Sequence, residues 1–316
     1  MYNKRMSKIY DDCLKRFNDT KDYDDRACLE DIITHFQRFV GEANPHLFTI
    51  MYLDGHYEDY VTFGPMNMRK EYEDYTVANK DFFTNIFNHF TNLELKEEVN
   101  NKTFVPNTSE IVEDFLKTVD MDLYNLFINS KDNMFRVYED GGGRALYDPV
   151  KDQIYVLFGR RFIFENMVAL VHEMGHCYRD HLVKKLHYTT SLEEHLKSEL
   201  YSQILEYLFL NYLINNDIYA IDAKNYLDID CNKIIRSSRT LCENIFVHDN
   251  GVSTISDIKY LLGRIVARYY INSGIPLKEF FTYLENHTLL EILNELNINY
   301  QEISDGIRKN YCLKKQ

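Results

Sequence analysis

The chain contains no tryptophan, and only 5 prolines and 12 glycines interrupt its 316 residues. So few helix-breaking residues, set against long stretches of Leu, Ile, Tyr, Lys and Glu, point to a helix-dominated chain. Cysteine pairs at CxxC spacing are missing, since Cys13, Cys28, Cys177, Cys231, Cys242 and Cys312 are scattered. That pattern argues for free thiols in a reducing compartment and against a disulfide framework. No run of apolar residues is long enough to cross a bilayer; the most apolar stretch, 207–214, is short and carries Asn211. The N-terminal MYNKRMSKIYDDCLKRFND has charges where a signal peptide needs an apolar core. The expected location is therefore cytoplasmic, with no membrane partner. Basic residues are in deficit, 36 Lys and Arg against 49 Asp and Glu, for a formal charge of −13. Phosphate contacts need clustered cations, so this balance speaks against a nucleic-acid partner.

What is present is enough apolar material for a core. Hydrophobic residues make up 45% of the chain and charged residues 27%, as in packed globular proteins, so disorder is not expected over most of its length. Apolar residues recur at helical spacing over 1–40, from Lys70 to Val99 and over 109–130. Two apolar stretches flank Asp54-Gly55, which predicts a hairpin near 46–64. Asn100–Thr108 reads as a connecting loop. Farther on, Gly141–Gly143 precede the apolar run Ile154–Phe158, which reads as a strand. A helix is expected next, roughly from Phe162 to Leu186, with Phe164, Met167, Val168, Val171, Gly175, Tyr178 and Leu182 facing inward. Ser191-Leu-Glu-Glu194 has the capping-box pattern that opens another helix, running to about Asn215. From Ile255 onward the chain reads as helical, broken near Gly274-Ile-Pro276.

The segment VALVHEMGHCYRD holds His172-Glu173-Met174-Gly175-His176, an HExxH on an expected helix. A spacing of four puts both imidazoles on one helix face, close enough to share one ion. Zinc lowers the pKa of a coordinated water to about 7, and a neighbouring carboxylate, here Glu173, can then take its proton. The plain alternative is a helix with two unrelated histidines and a surface glutamate. Three features weigh against it: the apolar lead-in Val168–Val171, the missing side chain at Gly175 where another helix can approach, and the strand just upstream.

A third ligand has to come from elsewhere. The arrangement with a histidine six residues after the second ligand fails, because that position is Leu182, with His181 one residue off. A second-helix glutamate remains, with Glu193, Glu194, Glu199 and Glu206 as candidates and His195 as an outsider. Glu199 interrupts the inward row Leu192, Leu196, Glu199, Gln203, where a buried carboxylate is costly unless paired or metal-bound. Glu193 and Glu194 are accounted for by the first turn of their helix. Glu199 is the expected ligand, and Glu206 the expected carboxylate behind a histidine.

VALVHEMGHCYRDH, followed by SELYSQILEYLFLNYL, resembles the oligopeptidase F branch of the thimet oligopeptidase family. The likeness lies in an HExGH helix, then a second-helix glutamate with a serine three residues on and another acid at seven. It covers about 109–316 and is strongest over 134–215. The resemblance implies His172, His176 and Glu199 as ligands of one zinc ion per chain, and Glu173 as catalytic base. It also implies transition-state roles for a late histidine and tyrosine. Tyr260, three residues before Gly263, matches the spacing, while His248 is displaced by about two residues. Gly141–Gly143 would be a substrate-contacting loop on the family pattern, or a plain turn before the strand.

Members of that family are close to twice this length. The expectation is accordingly a mostly α (α+β) protein. A zincin-like catalytic domain at 109–316, with a small β-sheet, would follow a shortened helical region at 1–108. Its expected function is zinc-dependent cleavage of peptide bonds in oligopeptides, an extended substrate lying along an edge strand near Ile154–Phe158. The alternative is a family member that keeps the metal for stability and binds peptides or a protein without cleaving them. A partner protein or self-association would then stand in for the missing N-terminal half.

Overall fold

The computed structural model describes residues 69–99, 102–138, 142–148, 152–159, 161–184, 192–244 and 252–308. The helix expected over 1–40, the hairpin near 46–64, Ser191 and His248 lie outside the described residues. Within them the protein is mostly helical with one small sheet. No described helix is long and apolar enough to cross a membrane.

Helices α1 (Arg69–Ala78) and α2 (Lys80–Thr91) open the described chain. On α2 the apolar positions Phe83, Ile86, Phe87 and Phe90 are all buried, the spacing that aligns side chains on one helix face. The helix stops at Thr91, short of the Val99 that periodicity predicted. Beyond it the backbone finds partners outside itself: Asn232 Oδ1 accepts from the Lys96 N–H at 2.8 Å, and Asn232 Nδ2 donates to the Lys96 carbonyl at 2.9 Å. Arg239 Nε donates to the Thr91 carbonyl at the helix end. The stretch 109–130, periodic throughout, is two helices, α3 (Thr108–Val119) and α4 (Met121–Asn129). Asp120 breaks it by adopting an extended backbone and accepting from the N–H groups of Asp122 and Leu123.

Three strands follow: β1 (Met134–Tyr138), β2 (Gly143–Asp148) and β3 (Gln153–Gly159), in spatial order β1-β3-β2. The strand at Ile154–Phe158 is present, but it is central and not an edge. It pairs in parallel with β1 and antiparallel with β2. Two-sided pairing suits its run of apolar residues, of which Ile154, Tyr155, Val156 and Phe158 are buried. Among the described residues the edges are β1 and β2.

Helix α5 (Phe164–Val183) carries the HExxH motif. It ends three residues before the expected Leu186, because Lys184 turns left-handed (φ 53°) and its N–H closes on the carbonyls of Asp180 and His181. Helix α6 (Leu192–Asn215) is buried on nearly every side, including Leu196, Glu199, Leu200, Gln203, Ile204 and Tyr207, so it is a central helix and not an amphipathic surface one. Helix α7 (Ala220–Asn244), which the sequence reading left unassigned, and α8 (Val252–Ile271) pack against α6 from other sides. The break near Gly274 is where it was expected, with Gly274 at φ 69° and Pro276 just before α9 (Leu277–Asn286). Helices α10 (Leu289–Glu295) and α11 (Tyr300–Arg308) complete the described chain. One hydrophobic core runs from Phe83 on α2 to Ile307 on α11.

Candidate metal centre

Two glycines set how closely the helices around α6 can pack. A Cβ on Gly175 would lie 2.6 Å from the Ser202 Cα, so α5 meets α6 backbone to backbone directly beside the motif. A Cβ on Gly263 would lie 2.9 Å from the Glu199 carbonyl oxygen, so α8 makes a comparable approach from another side. The turn of α6 that carries Glu199 is thus held between two close helix contacts.

These contacts bring His172, His176 and Glu199 together. Among the described residues they form the single group of three or more His, Cys, Asp or Glu side chains able to hold a metal ion, with ligand atoms all within 4.8 Å of one another. Glu199 Oε2 lies 3.3 Å from His172 Nε2 and 3.8 Å from His176 Nε2. Ser202 Oγ, one turn on, donates to the same oxygen at 3.1 Å. Behind the site, His172 Nδ1 lies 2.8 Å from Glu206 Oε2. With its proton on Nδ1 the ring donates to Glu206 and turns the Nε2 lone pair toward the site. The Tyr226 hydroxyl, from α7, shares Glu206. Two imidazole nitrogens and one carboxylate oxygen are the donor set of a catalytic zinc site, so the residues fit such an ion.

The electrostatics favour positive charge beside the two carboxylates. Burial opposes a charge on His172, yet the Glu199 and Glu206 carboxylates outweigh it and raise the imidazole to about 10. Burial likewise pushes Glu199 upward, but His172, His176 and Lys259 hold it well below the usual carboxylate range. Without a metal, a proton on His172 sits between two carboxylates.

Glu173 is 7% exposed and lies against the start of β2. A Cβ on Gly143 would come within 2.7 Å of its Cγ and 2.8 Å of its Oε1. Glu173 therefore borders what is, among the described residues, an edge strand, though the edge is β2 and not β3. Tyr260, on α8, is at the site and 36% exposed. Burial of its hydroxyl and the neighbouring Glu199 carboxylate, with which it shares a hydrogen bond, raise the phenol well above its ordinary value.

The other glutamates divide differently from expectation. Glu193 does not serve its own helix alone, because its Oε1 accepts from the Leu289 N–H at the start of α10. His195, the outsider, is not part of the ligand group; burial and Lys259 hold it neutral, at about 4. Gly142 and Gly143 are described and Gly141 is not, so the glycine cluster is seen only where it enters β2. The sequence does not single out Lys259 or Tyr226; Gly263 is marked there only by its spacing from Tyr260, and the one available signal for Lys259 is its spacing of four from that glycine on a helix.

No family model, curated protein or solved structure matches the chain. The functional reading rests on donor chemistry and geometry.

Proposed function

We propose that the protein is a zinc-dependent endopeptidase with a zincin-like catalytic domain, similar to the oligopeptidase F branch, that hydrolyses peptide bonds in oligopeptides. The observation that carries this reading is the convergence of His172, His176 and Glu199 with Glu173 one residue from a ligand and packed against an edge strand. A zinc ion held by those three residues would act as a Lewis acid on the scissile carbonyl. Glu173 takes a proton from the attacking water and returns it to the leaving amine. Tyr260, protonated across the neutral range and partly exposed, donates its O–H to the oxygen on which negative charge develops. An extended peptide adds along the outer edge of β2, where main-chain groups supply affinity and alternate side chains supply specificity. A cytoplasmic setting belongs to the same proposal and is supported by the scattered cysteines.

The test is cleavage of a mixed library of quenched fluorescent peptides, with and without chelator, beside Glu173→Gln. Chelator-sensitive cleavage that disappears in a variant still binding one zinc per chain is the expected outcome. Turnover retained by that variant would overturn the role of Glu173. Tight zinc binding with no cleavage by the native chain would favour the metal-stabilised binding module.

A further inference from the structure

Lys259 lies on α8, one residue before Tyr260 and four before Gly263. Because Gly263 lets α8 close on the Glu199 backbone, the lysine reaches the ligand itself: its Nζ is 3.2 Å from Glu199 Oε1. The same ammonium lies 3.5 Å from Ser198 Oγ and 5.1 Å from the centre of the Tyr260 ring. Its side chain is only 12% exposed. The opposite oxygen, Oε2, is the one that faces His172, His176 and the Ser202 hydroxyl. The two oxygens of one carboxylate are thus divided between a buried cation and the metal cluster.

We propose that Lys259 is a positioning residue of the metal centre, occupying Glu199 Oε1 so that a single carboxylate oxygen is left to coordinate the ion. This rests on the reading of His172, His176 and Glu199 as a metal site. A carboxylate with both oxygens available can chelate a cation through the pair; an ammonium on one of them removes that option. The consequence is an ion with one ligand fewer, and a catalytic site needs an open position. Lys259 also places a positive charge beside a divalent cation, which weakens its binding. Both effects have the same sign: removing the lysine takes the cation off Oε1, leaves the neutral Tyr260 hydroxyl as a weaker partner of the carboxylate and removes a repulsion, so the metal binds more tightly. A lysine that merely neutralised a buried glutamate would behave the other way, since its loss would loosen the α6–α8 contact and with it the ligand.

The measurement is titration of the metal-stripped full-length chain with Co2+, followed by visible absorption, for the native protein, Lys259→Met and Lys259→Arg. Native protein should bind one Co2+ with the strong absorption of a low-coordinate site. Lys259→Met should bind at least about tenfold more tightly, an order-of-magnitude Coulomb expectation, and absorb more weakly as coordination number rises. Lys259→Arg keeps a cation and should keep the native spectrum. If Lys259→Met does not fold, Lys259→Gln carries the same expectation for affinity. A native-like spectrum in Lys259→Met, or weaker Co2+ binding by either uncharged variant, would overturn the assignment. Failure of the native chain to bind Co2+ would instead overturn the metal site, and the role of Lys259 with it.

Discussion

Gly143 and Glu173 touch across the space that any larger side chain at 143 would fill. A methyl group there would meet Glu173 Cγ at 2.7 Å, and the side chain able to yield is Glu173 itself. Gly143→Ala is therefore expected to leave His172, His176 and Glu199 in place while displacing the Glu173 carboxylate. Misplacement by about 1 Å can cost on the order of 100-fold in rate, so turnover should fall by about tenfold or more with zinc affinity unchanged. Steady-state kinetics beside a zinc titration checks both halves. Equal losses of metal and activity would show that the glycine supports the whole site and not Glu173 alone.

At the scale of elements, α5 is fixed at its C-terminal end by two polar clusters. Arg179, one turn past the second histidine, makes a two-pronged contact with Glu285 on α9, at 2.6 and 3.1 Å, and the Tyr201 hydroxyl of α6 donates to the same carboxylate. Lys197 adds donations to the carbonyls of Leu284 and His287 at the end of α9. Glu285→Ala should destabilise the fold by about 2 kcal/mol. That is below the roughly 3–5 kcal/mol typical of a broken buried pair, because Asp180 still holds Arg179 at 3.0 Å. Denaturant unfolding measures it.

The second cluster ties the β2–β3 connection to α5. Asp152, at φ 53°, accepts from the Tyr147 hydroxyl, and His181 and Lys184 meet the same oxygen at 2.7 and 2.9 Å. Burial raises the carboxyl, but these partners more than offset it and bring the group down from 3.8 to about 2. A carboxylate with a lowered folded-state pKa stabilises the fold above its unfolded value, and the contribution disappears as pH falls through the folded value. The stability difference between native protein and Asp152→Asn should thus be full above about pH 4 and vanish toward pH 2. Melting curves across that window test it; a pH-independent difference would show that geometry and not charge holds the turn.

For the molecule as a whole, the part-buried cluster of His172, His176 and Glu199 joins α5 and α6, so a metal bound there would couple its occupancy to folding. A ligand that binds only the folded state at 100 times its dissociation constant adds about 2.7 kcal/mol. Zinc should raise the melting midpoint in proportion to the logarithm of its free concentration, and chelator should reverse the shift. The same metal series on His176→Ala should be flat; a comparable shift in that variant would place the stabilising metal elsewhere.

Much of this was legible in the sequence because it depends on local spacing. The HExxH helix, the long helix ending at Asn215, the strand at 154–158 and the break at Gly274 follow from periods of 3.6 and 2.0 and from residues that restrict the backbone. Even Glu199 was legible, as an acid interrupting an apolar row. The sequence misread what neighbours far along the chain decide: whether β3 is central or an edge, and where α2 stops once Asn232 supplies hydrogen-bond partners. Periodicity also describes faces, so a helix buried all round, like α6, reads as merely apolar. Glu206 was legible as a carboxylate behind a histidine, but only the tertiary structure could pair it with His172, set Glu173 against Gly143 and deliver Lys259 to one oxygen of Glu199. Those contacts exist because Gly175 and Gly263 let three helices approach at backbone distance, and local spacing does not encode which helices will meet.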